Sequence, residues 1–141
     1  MKVLKTLSVL AVAALALGSC ARNETSFHSV QETLASAQAK KVVDPNIQLF
    51  WGTDAPGTLL LKDATTNRTT NAFAKADVNS CQWAFLSAVV QLQKKAKELG
   101  GTKVTNIFST YKGSNFKSAT QYECHAGNLI SRVSLTGDIK K

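Results

Sequence analysis

The sequence predicts an α+β domain: a small, mostly antiparallel sheet with one long helix packed across it and a short N-terminal helix before it. Three observations carry this prediction. The stretch from Asn79 to Gly101 repeats apolar residues at helical spacing: Cys81, Phe85, Ala88, Val89, Leu92, Ala96 and Leu99 recur at steps of three and four, with Gln82, Gln91, Lys94 and Lys95 opposite. The region that follows alternates polar and apolar residues in short runs separated by Gly- and Asn-containing turns, the mark of strands. Two cysteines, Cys81 in that helix and Cys124 in a later run, are placed to tie helix and sheet together.

From the start of the chain, residues 1–21 carry Lys2 and Lys5, an apolar run from Leu7 to Leu17, and then small residues. This is the layout of an export signal peptide, with an apolar core too short for a comfortable membrane span. Leu17-Gly18-Ser19-Cys20 resembles a bacterial lipobox, which would make Cys20 the lipidated first residue of the mature protein. Ser19-Cys20-Ala21 also offers small residues for ordinary cleavage after Ala21. The lipobox reading is favoured, and with Ala21 rather than Asp after the cysteine it predicts a periplasmic domain anchored to the outer membrane. Either reading puts the domain outside the cytoplasm.

That compartment bears on the cysteines. With Cys20 at the processing site, Cys81 and Cys124 form an even pair in an oxidising environment, and one disulfide is expected. A metal site is not expected. His28 and His125 are the only histidines, and adjacent strand residues such as Cys124 and His125 point to opposite faces. No cofactor is implied.

Residues 22–43 read as a polar tether from Arg22 to Phe27, then a short helix through about Lys41 opened by the capping-box pattern Ser29-Val30-Gln31-Glu32. Residues 44–141 form the α+β domain. Asp44-Pro45-Asn46 breaks the helix, Ile47–Gly52 and Thr58–Leu61 read as strands around the turn Asp54–Gly57, and Ala64–Lys75, rich in Thr and Asn, reads as an irregular loop with Phe73 buried. In the long helix, Ser80 is the N-cap candidate and Gly100 or Gly101 ends it. Lys103–Tyr111 is an interior strand, Lys112–Asn115 a hairpin turn, and Lys117–His125 a strand with Glu123 and His125 on one face and Tyr122 and Cys124 on the other. Asn128–Leu135 is the last strand, and the residues from Gly137 onward a polar tail.

The motif residues Cys81, Trp83, Phe85, Leu86, Gly100, Gly101, Tyr111, Glu123, Cys124, Ala126 and Gly127 spell Cys-x-Trp-x-Phe-Leu, Leu-Gly-Gly and Glu-Cys-x-Ala-Gly. With Asp44–Gly52 and Thr70–Phe73 upstream, they resemble a group of small exported bacterial proteins of unknown function often labelled "excinuclease ATPase subunit". The chain contradicts that label, since it has no G-x-x-x-x-G-K-[ST] loop to hold nucleotide phosphates. More distantly, a cysteine before a helix, a Leu-Gly-Gly helix end and a cysteine in a later strand are similar to the outer-membrane stress-sensor lipoproteins of the Rcs phosphorelay. Those proteins have a second disulfide that this chain lacks, so the likeness implies fold more than role.

Function is the less legible part. The net charge is +8, or +6 without Lys2 and Lys5 of the leader, which favours anionic partners: an envelope protein, anionic lipid or an acidic polymer. Nucleic acid is disfavoured, because the Lys94, Lys95 and Lys97 cluster lacks free stacking aromatics; Trp83, Phe85 and Phe108 read as core. Trp51, Tyr111 and His125 are the candidate binding residues. No catalytic inventory stands out, so a non-enzymatic binding or sensing protein is expected. The alternative is a small ligand binder or enzyme built around His125 and Glu123, recognisable by a concave pocket beside His125.

Overall fold

Cys81, Phe85, Ala88, Val89, Leu92 and Ala96 are fully buried along one side of the long helix, as their spacing requires. The computed structural model describes residues 22–73 and 75–141; the predicted leader over residues 1–21, with Cys20, lies outside them. The elements run β1 (Glu24–Ser29), α1 (Val30–Leu34), α2 (Ala37–Val42), β2 (Gln48–Trp51), β3 (Leu59–Asn71), α3 (Asp77–Glu98), β4 (Lys103–Tyr111), β5 (Ser114–Phe116), β6 (Gln121–Ala126) and β7 (Ile130–Lys140).

The seven strands form one curled, mixed sheet organised on β7. Strand β3 lies antiparallel along the whole of one side of β7, from Leu59 opposite Lys140 to Asn71 opposite Ile130. On the other side, β6 pairs near the start of β7 (His125 opposite Arg132) and β4 near its end (Val104 opposite Ile139). Strand β1 is antiparallel on β6, β2 is parallel to β4, and β5 closes a hairpin on β4. Helix α3 crosses one face, its main contacts being to β7 and β3. Val104, Ile107, Tyr122, Cys124, Val133, Leu135 and Ile139 rise from the sheet to meet it.

This architecture overturns the expectation of a small, mostly antiparallel sheet: 44% of the described residues are strand against 28% helix, and β2 is parallel to β4. Three misread segments account for the difference. The Thr- and Asn-rich run after Leu61 continues β3, because β-branched threonines suit a half-buried pleat, and Thr66 Oγ1 donates to the Ala88 carbonyl of α3 at 3.3 Å. The predicted tail is the second half of β7, where Ile139 is fully buried and a Cβ on Gly137 would lie 2.8 Å from Val104 Cγ1. The predicted tether is β1, paired residue for residue with β6.

Smaller corrections follow the same logic. The short helix is two, because Ser29 caps the first through the Glu32 amide and Ser36 caps the second through the Ala39 amide. Ser80 is not the N-cap of α3: it is buried in the first turns, its hydroxyl 2.7 Å from that of Ser131 on β7. Gly100, at φ +75°, does end the helix, but Leu99 just before it is exposed. Phe73 and Trp83 are exposed rather than in the core. Gln93 is buried, donating to the carbonyls of Asp44 and Ile47 and accepting from the Asp44 amide at 2.8–3.0 Å, so it clamps the entry to β2 onto α3. A bulge at Asn106 (φ +51°) breaks the alternation of β4 between Thr105 and Phe108.

Candidate ligand-binding site

The predicted disulfide is present. Cys81 in the first turns of α3 and Cys124 in β6 are bonded, with Cα atoms 5.8 Å apart. The bond sits in the core, beside an aromatic cluster: Phe85 stacks on Tyr122 at 3.9 Å between ring centroids, and the Trp51 ring lies 5.3 Å from that of Phe85. Burial pushes the Tyr122 hydroxyl up to about 12, offset in part by its contact with the Thr33 hydroxyl at 3.3 Å. This packing fixes which way β6 faces. With Tyr122 and Cys124 turned to the helix, Glu123 and His125 turn to the opposite face.

The structure brings two of the three candidate binding residues together. Tyr111, at the end of β4, stacks on the His125 ring at 3.4 Å and 13°. Trp51 is elsewhere, packed against the core on Phe85. Around the Tyr111–His125 pair lies a cleft of about 200 Å³, lined also by Arg22, Asn23, Ile130 and Arg132. Asn23 donates to the Tyr111 hydroxyl at 3.2 Å. Arg22 bonds Glu24 at 2.8 Å and Asp77 at the start of α3; these partners raise its pKa and hold the Glu24 carboxyl below the usual range.

His125 is held through one ring nitrogen. Nδ1 lies 3.2 Å from the hydroxyl of Thr25, its cross-strand partner in β1. Nε2 lies 3.5 Å from Glu123 Oε2, which counts as an ionic contact when the ring is charged but is too long for a good hydrogen bond. Nε2 is accordingly buried and without a hydrogen-bond partner among the described residues, and so is Nε of Arg132, directly opposite His125 on β7. Arg132 Nε–H is a donor in every state, and His125 Nε2 is one when its ring carries a proton there; together they suit a group rich in acceptors, such as a carboxylate or phosphate.

Larger hollows exist along α3. One of about 490 Å³ lies between β3 and α3 with Arg68, Lys94 and Lys95 at its rim, and one of about 330 Å³ adjoins it beside Trp83. Among the described residues, none of the buried atoms that lack a partner belongs to a residue lining them. The smaller cleft at His125 is therefore the better candidate. Among the described residues, no three of His, Cys, Asp and Glu gather as they would around a metal ion. No described helix is long and apolar enough to cross a membrane.

No protein family, curated protein or solved structure matches this chain. The site is therefore read from its own residues. Sequence reasoning found Tyr111, His125 and Glu123 but missed Arg22, Thr25 and Arg132. Arg132 carried a usable signal, as the one charged residue in the run Asn128–Leu135. Arg22 and Thr25 carried none while their segment was read as a tether.

Proposed function

We propose that this chain is a non-enzymatic, exported bacterial envelope protein whose domain binds or senses an envelope component through an anionic group held in the cleft of Arg132, His125 and Tyr111. The observation that carries this reading is the pair of buried nitrogens, Arg132 Nε and His125 Nε2, that lack hydrogen-bond partners beside one cleft. Left unpaired among the described residues, the buried Arg132 Nε–H costs roughly 1–3 kcal/mol, which an incoming carboxylate or phosphate recovers. The leader and its lipobox support export and a lipid on Cys20, the basic balance of the chain supports an anionic partner, and the disulfide suits an oxidising compartment. The test is an NMR titration of the processed protein with inorganic phosphate and with acetate. Shifts that centre on the Arg132 Nε–H and the His125 ring and disappear in Arg132→Gln support the proposal. An unchanged spectrum at tens of millimolar anion removes it.

One arrangement favours a second reading. Thr25, His125 and Glu123 form a chain of contacts with the order of a hydroxyl, an imidazole and an acid. The β1–β6 register places Thr25 opposite His125 without any catalytic demand, and Tyr111 covers the ring. Hydrolysis of an activated ester that falls to background in Thr25→Ala would promote this reading over the first.

A further inference from the structure

Four large apolar side chains stand exposed together at one end of the domain. Phe73 and Leu129 are each 67% exposed, Val78 60% and Ile130 46%. Contacts of the surrounding chain place them at one end: the Ala72 amide donates to the Leu129 carbonyl at 2.8 Å, Asn71 pairs with Ile130, and Val78 follows Asp77, whose carboxylate is ion-paired with the Arg22 side chain. The Arg22 carbonyl and the Ile130 carbonyl both lie close to Gly127. The described chain therefore starts within this apolar end. Monomeric soluble proteins scatter single exposed apolar residues, but four gathered at one end mark a contact surface.

We infer that this end, formed by Phe73, Val78, Leu129 and Ile130, seats the domain on a phospholipid bilayer. The inference rests on the reading of Cys20 as the anchor, because that position selects the occupant. Two residues of extended chain span at most about 7 Å, so acyl chains on Cys20 would emerge beside these four side chains. A helix of 22 residues is about 33 Å long, so the other end of α3, where Leu59, Leu60 and Leu99 are exposed, stands well away from the anchor. Seated this way, the apolar side chains enter the headgroup boundary while Arg132, two residues beyond Ile130 on β7, faces headgroup phosphates. The lipid and the apolar end then act as two weak membrane signals that together fix the domain's orientation, which a single flexible anchor cannot do.

The test uses the processed Cys20→Ala protein, its N-terminus checked by mass spectrometry, in flotation with vesicles of phosphatidylethanolamine and phosphatidylglycerol. Measurable partitioning is expected, falling about tenfold or more in Phe73→Ser/Leu129→Ser and staying unchanged in Leu59→Ser/Leu60→Ser, with equal unfolding midpoints confirming that the variants fold. Absence of partitioning, or equal loss at the two ends, overturns the inference. Mass spectrometry of the native processed chain separates this from the anchor. An acylated Cys20 with no effect of the Phe73/Leu129 change defeats the seating alone. An unmodified cysteine with a strong effect removes the anchor and leaves the apolar end as a membrane contact in its own right.

Discussion

Replacing Cys81 and Cys124 together by alanine opens a cross-link between residues 43 positions apart. In the chain-entropy description, closing a loop of that length lowers the entropy of the unfolded chain enough to stabilise the fold by about 4 kcal/mol at 25 °C. Both sulfurs sit at fully buried positions, so alanine also removes packed atoms and adds a smaller cavity cost of the same sign. Single domains of this size are stable by roughly 5–15 kcal/mol, so the loss is a large share of the total. It corresponds to a fall in Tm of roughly 15 °C for a domain of this size. Urea unfolding followed by circular dichroism measures it, with the oxidised wild type and the double variant under identical conditions. The slope of free energy against urea should also rise in the variant, because an uncrosslinked unfolded chain exposes more surface. A double variant within about 1 kcal/mol of wild type would show that the bond neither restrains the unfolded chain nor holds β6 under α3, and the stapling argument would fall.

Two further outcomes follow from buried polar groups. Gln93→Leu removes three hydrogen bonds to the backbone around Asp44 and Ile47 and leaves those groups unpaired, so urea unfolding should show a loss of roughly 2–4 kcal/mol. Burial pushes the Tyr122 hydroxyl up to about 12 from its ordinary value of 10.0, so the unfolded chain loses its phenolic proton first as pH rises. Its contribution is fully present below about pH 10 and declines by about 2 kcal/mol by pH 12, as pH rises through the folded value. Unfolding of wild type and Tyr122→Phe compared across that window isolates this slope, and parallel profiles would refute it.

How much of this was legible in the sequence depended on where burial leaves a periodic trace. The apolar stripe of α3 and the inward turn of Cys81 could be read because a helix packed on one side repeats its burial every three to four residues. The pairing of Cys81 with Cys124 followed from their being the pair left once Cys20 is set aside, and the shared face of Glu123 and His125 from strand alternation. The second half of β3 left no such trace. Thr65 to Asn71 carries hydroxyls and amides on both faces, so its only strand signal is the branching of its threonines. Gly137 within β7 reads as a stop in sequence, yet it is needed there because Val104 and Ile107 occupy the space a side chain would take. The cleft at His125 was legible in part. Its aromatic and imidazole members lie in well-patterned strands, but Arg22 and Thr25 reach it through a pairing between residues about a hundred positions apart, which no local pattern reports.

The place of β7 in the sheet bears on when the domain can assemble. It is the latest strand in the sequence, and β3, β4 and β6 all lean on it. Until Ile130–Lys140 has been made, the earlier strands have no common partner, and α3 lacks Val133, Leu135 and Ile139 beneath it. A growing chain of this order stays open until β7 is made. Under the export proposed above, this topology would delay collapse until the chain had crossed the membrane and its cysteines could be oxidised.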